Sequence, residues 1–218
     1  MIRHSQQDTR ILPNKLRISF PNILDPLANF CVKHRIGPNF LTLLALFAGF
    51  GAGLLYYLEK QLWAGILIII CGLLDILDGK VALKSNRQTL FGAIFDSSLD
   101  RYSEFFVLFG LALYFMHHWA VWIIFWTFLG SAMVSYTRAR AEGLGFDCKV
   151  GFMQRAERII LLALGTFVGV IFNIFNPVMI GVLSLIALVS NFTAIQRIFH
   201  VRKAEKRKIQ DARDQEKP

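Results

Sequence analysis

Six long apolar runs constrain the fold of this chain more than any other feature of its sequence. Their approximate bounds are 40–58, 62–82, 91–116, 119–138, 159–175 and 178–199. Most approach the length of about 20 residues that an α-helix needs to cross the hydrocarbon core of a bilayer. The chain is also 55% hydrophobic, which is too apolar for an ordinary soluble domain. The sequence predicts an all-α, polytopic membrane protein with six transmembrane helices.

The basic residues are concentrated in alternate connections between the runs. They precede the first run, lie between the second and third and between the fourth and fifth, and follow the sixth. Because positive connections face the cytoplasm, both termini are predicted to be cytoplasmic in a multi-pass protein of the cell (inner) membrane. The net charge of +9 is therefore assigned to contact with the lipid bilayer, and no nucleic acid partner is expected.

Four aspartates interrupt the second and third runs at their facing ends. They are Asp75, Asp78, Asp96 and Asp100. Residues three or four apart on an α-helix are separated by about 60° or 40° around its axis, so each pair shares one face. The short connection makes the two helices antiparallel neighbours, which brings both pairs to one level. Four carboxylates at one level repel one another unless a hard cation lies among them, and oxygen ligands favour Mg²⁺, Mn²⁺ or Ca²⁺.

Three interpretations of the aspartates remain open on spacing alone. The first is a metal-dependent enzyme, in which Gly79, Ala82 and Gly92 let a bulky group approach the backbone or let the helices pack closely. The second is a cation-coupled membrane transporter, although charged or broken helices near the bilayer midplane would be expected there. The third is a buried ionic network that pairs the aspartates with Lys80, Lys84 or Arg101.

The aspartates belong to a longer pattern that resembles the signature of the CDP-alcohol phosphotransferase family. Every gap of that signature is matched here, by Asp75, Asp78, Gly79, Ala82, Gly92, Asp96 and Asp100. The resemblance implies an enzyme in which an alcohol displaces CMP from a CDP-linked donor, usually CDP-diacylglycerol. It also implies a homodimer. Leu83 stands where the family has an arginine that contacts the donor, and Lys84 or Lys80 is the candidate replacement.

The resemblance further implies a role for each matched residue. Asp75, Asp78, Asp96 and Asp100 would bind two Mg²⁺ or Mn²⁺ ions, and Asp100 would also be the catalytic base for the acceptor hydroxyl. Two such ions would stabilise the charge on the attacked phosphate and on the leaving CMP. The residues assigned to donor binding are Pro38, Asn39, Thr42, Gly79, Ala82, Thr89 and Gly92.

Three arginines from three different helices indicate an anion site beside the aspartates. They are Arg138, Arg155 and Arg197, and guanidinium groups bind phosphate in a bidentate manner. Cytoplasmic anchoring of the helix ends is the alternative, and it explains any one of them adequately, but the convergence of all three favours the anion site. The segments around Arg138 and Arg155 also resemble the phosphatidylinositol-phosphate synthases of the family. That resemblance implies a phosphorylated polyol acceptor, inositol 1-phosphate first. The alternatives are glycerol 3-phosphate, as in a phosphatidylglycerophosphate synthase, and a free alcohol.

The chain is expected to form one membrane domain with flanking segments. Residues 1–20 would be a flexible basic arm, and residues 21–36 an amphipathic juxtamembrane helix on anionic lipid. Residues 37–200 would form the six-helix membrane catalytic domain, followed by a charged cytoplasmic tail at 201–218. No apolar signal region is found at the N-terminus, so no cleaved signal peptide is expected.

Overall fold

The structure, a computed structural model, describes residues 23–148 and 150–215. These residues form α-helices joined by short turns and contain no β-strand, so the all-α fold class is confirmed. The helices, numbered α1 to α7 in chain order, are Asp25–Lys33, Pro38–Tyr57, Gln61–Lys84, Leu90–Tyr114, Val121–Gly143, Arg155–Ile171 and Phe175–Gln215. The expected basic arm at 1–20 lies outside the described residues.

Each of the six apolar runs lies largely on one of the helices α2 to α7. Within the described residues, two helices are long and apolar enough to cross a membrane, namely Pro38–Tyr57 and the Phe175–Asp211 part of α7. The count of six transmembrane helices therefore stays a prediction. Helix α7 also continues beyond the last apolar run, because the charged residues that follow are still helical as far as Gln215.

The turn between α3 and α4 is compact and returns the chain directly to the end of α3. Asn86 has a left-handed backbone with φ of 51°, and the amide of Arg87 donates to the carbonyl of Ala82 at 3.0 Å. Such a hydrogen bond around a left-handed residue is the Schellman ending of a helix. The hydroxyl of Thr89 then accepts a hydrogen bond from the Gly92 amide at 2.9 Å and caps the start of α4. The facing ends of α3 and α4 consequently lie side by side.

Helices α2 and α4 pack so closely that their backbones touch. A Cβ atom at Gly53 would overlap the carbonyl oxygen of Phe106, and one at Gly110 would overlap the carbonyl oxygen of Gly53. Gly49, one turn before Gly53, faces Ser103 with equally little space. Small residues permit this approach between helices in membranes, where packing rather than water drives association. The close contact holds α2 against the helix that carries Asp96 and Asp100.

The remaining helices complete the bundle around a shared apolar core. Helix α6 packs against α3 and α7, and α5 packs against α7 and α4. The core between them contains fully buried side chains such as Tyr56, Leu111 and Met179. Because α6 lies against α3, its first turn is placed beside the aspartates. Helix α1 packs against α3 near the same end of the bundle.

Candidate active site

Three of the four aspartates form one cluster between α3 and α4. Carboxylate oxygens of Asp75, Asp78 and Asp96 all lie within 4.8 Å of one another. Asp78 is only 4% exposed, and the hydroxyl of Thr42 on α2 donates to its Oδ2 atom at 2.7 Å. The structure thus brings the two aspartate pairs to one level, as their helical spacing indicates. It adds a hydroxyl from a third helix that fixes the orientation of Asp78.

The cluster has the chemistry of a site for a hard divalent cation. Oδ1 of Asp96 is buried, and it accepts no hydrogen bond from any residue that the structure describes. A buried charged oxygen without a partner is costly. Converging carboxylates with an unpaired oxygen match the ligand sets of Mg²⁺ and Mn²⁺. The residues present therefore fit such an ion, and Asp75, Asp78 and Asp96 are the side chains that would hold it.

Asp100 lies beside the cluster and is bound by an arginine from α6. Nη1 of Arg155 lies 2.8 Å from Oδ2 of Asp75 and 2.7 Å from Oδ1 of Asp100. These contacts are ion pairs rather than hydrogen bonds, because Nη1 has no partner with hydrogen-bond geometry in the described part of the chain. Arg155, assigned from the sequence to the acceptor phosphate, thus lies between an expected metal ligand and the expected base.

A cavity of about 250 Å³ adjoins the cluster, and its wall includes Asp78 and Asp96. The structure brings all the residues that the sequence assigns to donor binding onto this wall, namely Pro38, Asn39, Thr42, Gly79, Ala82, Thr89 and Gly92. A Cβ atom at Gly79 would meet nothing within 4 Å, so the backbone of α3 is open to the cavity there. Arg87, in the turn between α3 and α4, also lines the cavity and was not expected.

The other two expected phosphate-binding arginines have different partners. Nε of Arg138 lies 2.8 Å from a carboxylate oxygen of Glu142, one turn further along α5, and both side chains are partly exposed. Arg197 is only 2% exposed and donates to the carbonyls of Val134 and Val150. Among the described residues, Arg138, Arg155 and Arg197 therefore share no contact partner.

The basic residues considered as partners of the aspartates bind elsewhere. Nζ of Lys80 lies 2.5 Å from Oδ1 of Asp25 on α1, and Nζ of Lys84 lies 3.0 Å from the same oxygen. The hydrogen bond from Lys80 holds the pKa of Asp25 below its usual value. Arg101 donates to the carbonyl of Ser97, one turn earlier on its own helix. Within the described structure, Arg155 instead is the cation in direct contact with the site aspartates.

The family of this chain follows from its sequence as a whole. The profile of the CDP-alcohol phosphatidyltransferase family matches residues 35–196, which include the aspartate cluster and the whole cavity wall. The chain belongs to this family. The CDP-alcohol phosphatidyltransferase is accordingly an enzyme, and the resemblance carried by its aspartate signature is confirmed.

Relatives of this phosphatidyltransferase cover nearly its whole length. Archaetidylinositol phosphate synthase of Pyrococcus horikoshii is 36% identical over 191 residues, which cover 87% of this chain and 96% of the relative. Phosphatidylinositol phosphate synthase of Mycobacterium bovis is 30% identical over 196 residues, covering 87% and 90%.

Solved structures of a related enzyme share the fold. Phosphatidylinositol phosphate synthase of Mycobacterium tuberculosis with CDP-DAG bound has a TM-score of 0.75 at 29% identity, covering 83% of this chain and 94% of that one. The same enzyme in complex with manganese and citrate has a TM-score of 0.74 at 29% identity, covering 81% and 87%.

A buried ion pair lies one helical turn from the aspartates and was not expected from the sequence of this phosphatidyltransferase. Nε and Nη2 of Arg158 bind the two carboxylate oxygens of Glu104 at 2.6 and 2.9 Å. The spacing of the two residues along their helices could have indicated this pair. Glu104 follows Asp100 by four residues, and Arg158 follows Arg155 by three, so each shares a helix face with its neighbour. The pair therefore joins α4 to α6 behind the contact of Arg155 with Asp100.

Proposed function

We propose that this enzyme transfers the phosphatidyl group of CDP-diacylglycerol to inositol 1-phosphate, releasing CMP and forming phosphatidylinositol phosphate. The observation that carries the proposal is the aspartate cluster at the wall of a cavity large enough for a ligand group. The relatives named archaetidylinositol phosphate synthase and phosphatidylinositol phosphate synthase support the acceptor. The Mycobacterium tuberculosis structure with CDP-DAG bound supports the donor.

Two divalent cations, Mg²⁺ or Mn²⁺, belong to the proposal. Asp75, Asp78, Asp96 and Asp100 would hold them, and the ions would supply charge stabilisation on the attacked phosphate and on the departing CMP. The unpaired buried oxygen of Asp96 supports this assignment, as does the manganese complex of the related enzyme. The role of Thr42 is to fix the carboxylate of Asp78 through its hydrogen bond, so that this ligand needs little reorganisation.

Asp100 is assigned as the base in this reaction. Its carboxylate accepts the proton of the attacking inositol hydroxyl, whose oxygen forms a bond to the donor phosphorus nearest the lipid. The bond from that phosphorus to the bridging diphosphate oxygen breaks, and this oxygen leaves with CMP. Arg155 fixes the position of the base, since its Nη1 lies 2.7 Å from Oδ1 of Asp100. Positioning is important because a carboxylate is only a modest base.

The acceptor phosphate is assigned to Arg138, Arg155 and Arg197. Arg155 is closest to the chemistry, and its buried Nε has no hydrogen-bond partner among the described residues, so this donor is left for a phosphate while Nη1 contacts Asp75 and Asp100. Arg138 is partly exposed and accessible to a soluble acceptor. Arg197 already donates to two backbone carbonyls, so it contributes positive charge and holds the segment between α5 and α6 in place.

The proposed setting is the cytoplasmic side of the cell membrane, crossed six times by helices α2 to α7. Large exposed apolar side chains on several helices support contact with lipid, among them Phe47, Trp122, Leu188 and Phe192, which are 60–72% exposed. Residues 37–200 would be the catalytic domain, with the charged C-terminal segment and both termini in the cytoplasm. A homodimer remains part of the proposal on family resemblance.

An acceptor panel tests the proposed function. The full-length enzyme in nanodiscs, with CDP-diacylglycerol and Mg²⁺, should release CMP most rapidly with inositol 1-phosphate, compared with glycerol 3-phosphate, inositol and serine. Removal of the ion with EDTA should stop release, and Mg²⁺ or Mn²⁺ should restore it. Preference for glycerol 3-phosphate would instead assign phosphatidylglycerophosphate synthesis. No release with any acceptor, together with cation flux in liposomes, would refute the proposal in favour of a transporter.

A further inference from the structure

The donor cavity lacks the arginine that the family signature places after Ala82. Leu83 occupies that position and is 63% exposed. It follows Gly79 by four residues, so the two positions are about 40° apart around α3, although Leu83 itself is not part of the cavity wall. Leucine nevertheless offers no charge to a ligand there. A diphosphate in this cavity therefore needs a cation from another position.

The two nearest lysines are already bound to helix α1. Nζ of Lys80 contacts Asp25 at 2.5 Å, and Nζ of Lys84 contacts Asp25 at 3.0 Å and Asn29 at 2.8 Å. Neither lysine is part of the cavity wall. The replacement considered from the sequence, Lys84 or Lys80, is consequently not the arrangement in the structure. These lysines instead attach α1 to the end of α3.

Arg87 is the one basic residue on the cavity wall as far as the chain is described. The left-handed turn at Asn86 places it there, since the amide of Arg87 bonds back to the carbonyl of Ala82. The charged residues that share the wall are Asp78 and Asp96, both acidic. The wall of the cavity thus combines two expected metal ligands with one arginine. This combination suits a diphosphate, because guanidinium groups make strong, paired hydrogen bonds with phosphate oxygens.

We infer that Arg87 binds the diphosphate of the CDP-linked donor and replaces the arginine that is missing at Leu83. The inference rests on the proposed function for the identity of the donor. It adds a donor-binding residue that lies outside the aspartate signature and is contributed by the turn between α3 and α4. The charge of Arg87 comes from the turn after α3, whereas the family arginine would lie on α3 itself.

Direct binding of CDP tests the assignment without requiring turnover. Calorimetry on the full-length protein in nanodiscs with Mg²⁺ should show that Arg87→Ala weakens CDP binding about tenfold, as expected for loss of a charged hydrogen bond. Arg87→Lys keeps the charge but loses the paired geometry, so its loss should be smaller. Arg202→Ala, which removes an exposed arginine on α7, should bind CDP like the wild type.

A rescue variant separates binding from damage to the fold. Leu83→Arg in the Arg87→Ala background should recover most of the CDP affinity, because it returns the cation to the family position. An unchanged affinity in Arg87→Ala would overturn the inference, and so would a failure of the wild type to bind CDP. A loss that Leu83→Arg does not rescue would also overturn it. If Arg87→Ala loses CDP and the rescue succeeds, but no acceptor releases CMP from the wild type, the inference stands and the proposed function fails.

Discussion

Removal of Glu104 should destabilise this enzyme much more than removal of Glu142, although each carboxylate binds one arginine. The pair of Glu104 with Arg158 is buried, with side chains 12% and 2% exposed and two contacts of 2.6 and 2.9 Å. Glu104→Ala would leave a buried guanidinium without its counter-ion, which costs about 3–5 kcal/mol. At about 2–4 °C per kcal/mol for a chain of this size, the Tm should fall by about 6–20 °C.

The exposed pair of Arg138 with Glu142 is the matched control. Its single contact of 2.8 Å joins side chains that are 44% and 45% exposed, so Glu142→Ala should cost about 0–1 kcal/mol and lower the Tm by at most about 4 °C. Thermal unfolding of both variants in the same detergent, followed by tryptophan fluorescence, measures the difference. A double variant, Glu104→Leu with Arg158→Leu, should regain much of the loss, since no unpaired charge remains. Equal Tm values for the two single variants would refute the argument from burial.

Three further predictions concern the site and its support. Asp100→Asn should abolish CMP release but spare Mn²⁺ binding, measured by calorimetry, more than Asp78→Asn does; an active Asp100→Asn would exclude this residue as the base. Arg155→Ala should raise the KM for inositol 1-phosphate at least about tenfold while leaving the donor KM nearly unchanged, because a charged contact to phosphate is lost. An unchanged acceptor KM would remove Arg155 from the acceptor site. Gly53→Leu should strongly reduce the yield of folded protein in size-exclusion chromatography, since its side chain would overlap Phe106, whereas Gly181→Leu, with open space around it, should fold normally.

Periodicity and spacing were sufficient to predict the helices and the aspartate cluster. The apolar runs lie on separate helices, and the three- and four-residue spacings place the carboxylates on facing sides of α3 and α4. Residues assigned from the sequence to donor binding also lie together, because Thr42, Gly79 and Thr89 border a single cavity. Local geometry of a helix is short-ranged, so sequence spacing alone determines which residues share a face.

Residue spacing could not predict the contacts between helices that are distant in the sequence. Nothing in the spacing favours Asp25 over the active-site aspartates as the partner of Lys80, since that choice depends on where α1 packs. Arg197 was expected to bind a phosphate but also donates to carbonyls of other elements, because its side chain is enclosed by α5 and the segment before α6. The position of Arg87 depends on a left-handed Asn86, which hydrophobic patterning does not indicate.

Arg155 and Arg158, at the start of α6, differ in whether an ion or a ligand can reach their carboxylate partners. Arg158 holds a carboxylate that is nearly sealed from solvent, so neither ions nor ligands have ready access to its partner. Arg155, almost one turn away, binds carboxylates that also border the candidate cation site. The buried pair of Glu104 with Arg158 therefore holds α6 in a fixed position against α4. A ligand or cation that binds Asp75 or Asp100 would therefore compete directly with the contacts of Arg155.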